Sequence, residues 1–304
     1  MRVLVTGVAW FIGPHLAEAC LKKGWGVLGV DTRDFKYDAI DYDFHTPQFT
    51  FEKRDVRTLT PEDLKDISYV FHLAFETNIP NSIEHPLETT RDNIDMTAYL
   101  LDTATKAGIK KFLFPSTASL YGHNPTPWRE DMPPSPIEPY AWQKLACEYA
   151  LFMWTERYKL KTATLRLFQV FGENFRLDGV IAIFAKLKKE GKPVTVTETS
   201  PGSPYRSGQR DFIYVKEVAD AFIQIALSPK TGNGEVFNIG SGKVTTVEEI
   251  AKAMNTEFTF IPKRGFEVER HEADITKTKS VIDWNPKVQV LPWLKEYVKT
   301  ILKN

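Results

Sequence analysis

The stretch that most constrains this chain is its first thirty-one residues. An apolar run, Val3-Leu4-Val5, enters the turn Thr6-Gly7, and Ile12, Leu16, Ala19 and Cys20 then recur on one helical face. Gly24 closes that helix, and a second apolar run from Val27 to Val30 ends at Asp31. Strand, turn, helix and strand form a βαβ unit, which commits a chain to a parallel sheet covered by helices on both faces. The alternation continues. Runs at 49–53, 69–73, 111–115 and 162–167 read as strands, separated by helical patterns at 61–65, 89–107 and 140–158. The expected fold class is α/β, a doubly wound parallel sheet with a smaller, discontinuous C-terminal lobe. Residues 1–170, with a return segment at about 210–240, are expected to build the first domain. Residues 171–209 and 241–304 are expected to build the lobe. Within those later parts, 180–190 reads as a helix, 194–197 as a strand and 200–209 as a Pro/Gly/Ser-rich loop. Strand, helix and strand resume at 211–215, 215–226 and 236–239, and helices are expected at 247–254, 275–283 and 291–301.

Composition narrows the partners. Lys plus Arg and Asp plus Glu both total 39, so no net field draws the chain to nucleic acid or to an anionic membrane. Any anion must be held locally. No run approaches the length of a membrane span, and Met1 leads directly into a strand pattern, from which a cytoplasmic location is expected. Cys20 and Cys147 each sit in a helical apolar pattern and read as core residues. Six scattered histidines without i, i+4 pairing give no metal site.

The glycine turn carries chemistry. In Thr6-Gly7-Val8-Ala9-Trp10-Phe11-Ile12-Gly13, Gly7 permits the tight turn and Gly13 lets the helix approach the strand. The helix N-terminus then offers free N–H groups to a pyrophosphate. Asp31 suits a ribose diol and repels a 2′-phosphate, which favours NAD over NADP, although Arg33 two residues on offers a phosphate partner. Further along, Thr117 follows a strand pattern, and Tyr140 and Lys144 lie four apart at the head of a helix. That spacing puts the two on one face, where an ammonium can stabilise a phenolate. A lone Tyr-x-x-x-Lys is usually a solvated helix face. Its coincidence with a strand-end hydroxyl and an N-terminal glycine turn is not a chance pattern.

Together these features resemble the extended short-chain dehydrogenase/reductase family of NAD-dependent nucleotide-sugar epimerases and dehydratases, whose cofactor domain is a Rossmann fold. The resemblance spans almost the whole chain, through Asp55-Val56, His72-Leu73-Ala74, Ser82-Ile83-Glu84, Asn93, Leu165-Arg166, Arg210-Asp211-Phe212-Ile213, Asn238-Ile239-Gly240 and Ala273-Asp274-Ile275. It implies cofactor contacts from Gly7, Trp10, Phe11, Ile12, Gly13, Asp31, Asp55, Val56, Leu73, Ala74, Asn93, Tyr140 and Lys144. It implies substrate contacts from Ser82, Thr117, Gln169, Arg210, Arg264 and Glu267, with Arg210 on the sugar nucleotide's diphosphate and Arg264 with Glu267 as a second nucleotide-binding pair. It implies a homodimer in which helices 89–107 and 140–158 pair with their copies. Met96, Tyr99, Leu100, Leu151, Phe152 and Trp154 are the apolar candidates for that face.

The departures are informative. Dehydratases carry Asp-Glu after the catalytic hydroxyl residue, where this chain has Ala118-Ser119; decarboxylases tend to carry Glu where Ser119 stands. Thr-Ala-Ser resembles the 4-epimerases. Gln169 stands where Asn is usual, Pro14 where Ser is usual, and Trp10 replaces the middle glycine of the turn, where any Cβ approaches the pyrophosphate. The expected function is an NAD-dependent nucleotide-sugar 4-epimerase of the UDP-glucose/UDP-galactose type, with Thr117, Tyr140 and Lys144 as the catalytic trio. The alternatives are another epimerase, a reductase or a dehydratase of the same family, or a nonenzymatic nucleotide- or RNA-binding relative, a reading that rests on Trp10.

Overall fold

A computed structural model describes residues 1–37, 40–173, 179–263 and 267–301. The elements run β1 (Arg2–Thr6), α1 (Ile12–Lys22), β2 (Gly26–Asp31), β3 (Phe49–Lys53), β4 (Ile67–His72), α2 (Ile79–Glu84), α3 (Pro86–Lys106), β5 (Lys111–Thr117), α4 (Pro139–Tyr158) and β6 (Thr162–Leu167). They continue with β7 (Gln169–Phe171), α5 (Val180–Lys189), β8 (Val194–Thr197), β9 (Gln209–Tyr214), α6 (Val215–Leu227), β10 (Asn233–Ile239), β11 (Val244–Thr246), α7 (Val247–Ala253), β12 (Phe258–Ile261), β13 (Arg270–His271), α8 (Thr276–Val281) and α9 (Val290–Ile301).

Seven strands form one sheet in the order β10-β6-β5-β4-β1-β2-β3, every neighbouring pair parallel. The expected doubly wound sheet is present. Its order reverses between β1 and β4, and the crevice beyond the strand ends at such a reversal is where open α/β sheets bind ligands. Along β1 the side chains alternate: Val3 and Val5 join the core under α1 and α6, whereas Leu4 joins the core under α3 and α4. Cys20 and Cys147 are free thiols buried in these two cores. A bidentate Arg166–Glu148 pair, 3.0 and 2.8 Å, ties β6 to α4 with both side chains buried.

The second half differs in detail from its sequence pattern. The strand expected at 211–215 is β9, and it belongs to a separate small sheet with β7, β11 and β13. The chain rejoins the large sheet with α6 and β10. Strand β12 pairs in parallel with β8, and a third apolar core packs α5, α7 and α9 against these short strands. The helical pattern at 61–65 is a single 3-10 turn, Glu62–Leu64.

Candidate active site

The turn after β1 is closely packed against its neighbours. Gly7 has φ +66°, and a Cβ there would lie 2.6 Å from the backbone nitrogen of Ala74. A Cβ on Gly13 would meet the Gly7 carbonyl oxygen at 2.5 Å. The first turn of α1 therefore sits hard against the end of β1. Asp31, buried at the end of β2, accepts the Ala9 N–H on one oxygen and the Arg33 N–H on the other, each at 2.9 Å. Thr6 adds a third tie. Its hydroxyl accepts the Ala74 N–H at 3.1 Å and bonds His72 Nδ1 at 2.8 Å. Burial holds His72 at about 3, so it stays neutral at working pH.

The head of α4 brings in Tyr140 and Lys144. Glu138 caps the helix by accepting the Ala141 N–H, and Pro139 occupies the first turn. Burial raises the Glu138 carboxyl above its usual range, while the helix N–H groups oppose that shift. Tyr140 and Lys144 follow one turn apart on the buried side. The Lys144 ammonium donates to the Pro115 carbonyl at 2.7 Å, and the Thr117 hydroxyl donates to Ser119 Oγ at 3.2 Å while accepting the Ser119 N–H.

A cavity of about 590 Å³ joins these parts. Gly7, Trp10, Phe11, Ile12, Gly13 and Leu73 line it from the turn after β1, the start of α1 and the end of β4, whereas Thr117 lines it from the end of β5 and Tyr140 and Lys144 from α4. Gln169 and Arg210 line it from β7 and β9, and Glu267 from the segment that precedes β13. The cradle of Gly7, Gly13 and Asp31 at a helix N-terminus fits a dinucleotide: backbone can be approached where a Cβ would block it, and a carboxylate stands at the end of β2.

Ser82, Asn93, Asp55 and Val56 do not line the cavity. Ser82 is fully buried; its hydroxyl donates to the Ile79 carbonyl and accepts the Tyr140 N–H, so it seats the head of α4. Asn93 is buried between α3 and the loop after β4, bonding both backbone groups of Glu76 and donating to Gln143 at 2.8 Å. Asp55 caps its own turn and is hydrogen-bonded to the Arg57 guanidinium, which holds its carboxyl below the usual range, and Val56 is in the core. Arg210 is ion-paired to Glu267 at 3.3 Å rather than free, and burial opposes its charge. Arg264 lies outside the described residues. The Trp10 indole lies against the Arg33 guanidinium, 4.2 Å from ring centre to Cζ, and remains 38% exposed. The same indole lines the cavity beside the turn. The sequence pattern does not mark Gln143 or Phe75. Nothing local marks Phe75, since its partners come from α4 and β5.

Comparison with known proteins agrees with this geometry. The family model described as NAD dependent epimerase/dehydratase family matches residues 3–240. The UDP-glucose 4-epimerase of Mycolicibacterium smegmatis is 31% identical over 319 residues, covering 98% of each chain. The UDP-glucuronate 4-epimerase of Thermodesulfobacterium geofontis is 30% identical over 319 residues, covering 99% of this chain and 96% of that one. Among solved structures, a UDP-N-acetylglucosamine 4-epimerase from Methanobrevibacter ruminantium, in complex with UDP-N-acetylmuramic acid, superposes with a TM-score of 0.88 at 30% identity, covering 99% and 98% of the two chains.

Proposed function

We propose that this chain, which belongs to the NAD-dependent epimerase/dehydratase family, is a UDP-sugar 4-epimerase whose preferred pair is UDP-glucose and UDP-galactose. One observation carries the choice of reaction. Glu267 is the only carboxylate among the described residues that line the cavity, and it is ion-paired to Arg210. Elimination across C5 and C6 needs an acid and a base beyond the one that acts at O4. Ala118 and Ser119 offer neither.

Epimerisation needs one base at O4. Tyr140, as phenolate, takes the 4′-hydroxyl proton and later returns it. Thr117 holds the same oxygen through its hydroxyl, and the Lys144 ammonium stabilises the phenolate. Bound NAD supplies a reversible hydride acceptor, so the 4-keto sugar that forms is reduced on its other face with no net oxidation. Gly7, Gly13 and Asp31 would hold the dinucleotide, and Arg210 would face the substrate's diphosphate from β9.

The direct test incubates purified protein with UDP-glucose, UDP-glucuronate or UDP-N-acetylglucosamine and separates the products. The expected result is C4 epimerisation, fastest for UDP-glucose. Accumulation of a 4-keto-6-deoxy sugar would identify a dehydratase instead, and faster turnover of an acidic or acetamido sugar would reassign the substrate.

We also propose a homodimer, with a corrected face. Leu100 and Leu151 are core residues, and Met96 and Trp154 pack partly against that core, so four of the six candidates are committed to the sheet. Tyr99 and Phe152 are exposed as expected. Trp142, Tyr149 and Met153 join them, and the 142, 149, 153 spacing places one apolar stripe along the outside of α4. Tyr149 is 62% exposed, and such a stripe is covered by another surface more often than left to water. Sedimentation at micromolar concentration is expected to give twice the 34.7 kDa chain mass; a monomer mass would refute the dimer.

A further inference from the structure

The loop after β4 places an aromatic ring against both members of the proton-transferring pair. Phe75 is half-buried, and its ring centre lies 3.6 Å from the Lys144 ammonium nitrogen. It meets the Tyr140 ring nearly perpendicularly at 6.1 Å. Phe114 presents a second ring 4.3 Å from the same ammonium and packs edge-on to Phe75 at 5.8 Å. Lys144 is 2% exposed. An ammonium withdrawn from water to this degree loses its proton unless other groups replace hydration. Two ring faces and the Pro115 carbonyl do so here.

The backbone on either side of Phe75 is fixed. The Ala74 N–H is held by Thr6, and both Glu76 backbone groups are held by Asn93, which in turn bonds Gln143, the neighbour of Lys144. The ring is therefore set in register with the helix that carries Tyr140 and Lys144.

We propose that Phe75 is a positioning residue for proton transfer: its ring face keeps the Lys144 ammonium charged and seated beside Tyr140, and thereby sets the pH range in which Tyr140 works as a base. The inference rests on Tyr140 being that base.

The test replaces Phe75 in the full chain with 4-fluoro-, 3,5-difluoro- and 3,4,5-trifluorophenylalanine, which weaken the ring's negative face with little change of shape, and separately with Leu and Tyr. Two readouts are taken: the acid limb of the kcat profile, and the tyrosinate absorbance titration that the parent shows and Tyr140→Phe lacks. Both are expected to move stepwise to higher pH with fluorination, by about one unit in total for Phe75→Leu. KM is expected to stay within about twofold, and Phe75→Tyr, which keeps a ring face, is expected to hold the parent's limb. A fall in kcat shared by every variant with an unmoved limb and titration would make Phe75 a packing residue only and overturn the proposal. Full activity in Tyr140→Phe would instead remove the base assignment, and this inference with it.

Discussion

Tyr140→Phe is expected to lower kcat for UDP-sugar epimerisation by about 10²- to 10⁴-fold, the usual worth of a positioned general base. The substitution removes one oxygen and little else. The ring that meets Phe75 remains, and the backbone N–H that donates to Ser82 is untouched, so the head of α4 keeps its seat. Among the described residues that line the cavity, none is placed to replace it: Thr117 is a hydroxyl already engaged with Ser119, and the one carboxylate among them, Glu267, is paired with Arg210. Substrate affinity, measured by calorimetry on the NAD-loaded protein, is expected to change less than about threefold, because the base acts on the reacting bond rather than on the diphosphate. A variant that turns over at the parental rate would remove Tyr140 from the mechanism. A variant that loses binding along with turnover would make the phenol a substrate anchor rather than a base.

The parts of this site that sequence reveals are those whose geometry is local. The turn from Gly7 to Gly13, the strand that ends at Thr117 and the one-turn spacing of Tyr140 and Lys144 are set by backbone periodicity, and each is found in the cavity wall. What sequence does not reveal depends on what folds against what. Helix α4 is apolar almost all round, with Tyr140, Ala141, Cys147 and Leu151 buried and Trp142, Tyr149, Phe152 and Met153 exposed. Periodicity therefore does not say which stripe meets the sheet, and Leu151, a candidate for the outer face by sequence, packs in the core. Ser82 was expected at the substrate and instead holds the Tyr140 N–H, because α2 packs beneath the head of α4. Strands β11 and β13 are three and two residues long and exist through their pairing with β9, which leaves no period to detect. Trp10 contradicts the glycine rule for its turn, and only the fold shows that Arg33, twenty-three positions away, offers the indole a seat.

The second large effect is expected at Gly13. Gly13→Ala adds one methyl group, and its carbon would lie 2.5 Å from the Gly7 oxygen, 2.6 Å from Val8 Cα and 2.7 Å from the Val8 oxygen. All three are backbone atoms of the tight turn, so no side chain can rotate away, and α1 itself must withdraw from β1. Overpacking of this kind costs about 3 kcal/mol when the neighbours cannot give. Gly24→Ala is the matched control. Gly24 has φ +73°, so the substitution is strained there too, but a Cβ would meet nothing within 4 Å, and the expected cost is only about 1 kcal/mol. Urea unfolding of both variants should show Gly13→Ala as the less stable by about 2 kcal/mol, the difference between those two costs. The same displacement moves the first turn of α1 off the cofactor path, so NAD affinity is expected to fall at least tenfold in Gly13→Ala and not at all in Gly24→Ala. Equal stability of the two variants would mean that the helix is not held against the strand by that close approach. Unchanged NAD affinity in a destabilised Gly13→Ala would separate the packing role of the glycine from its role in holding the dinucleotide.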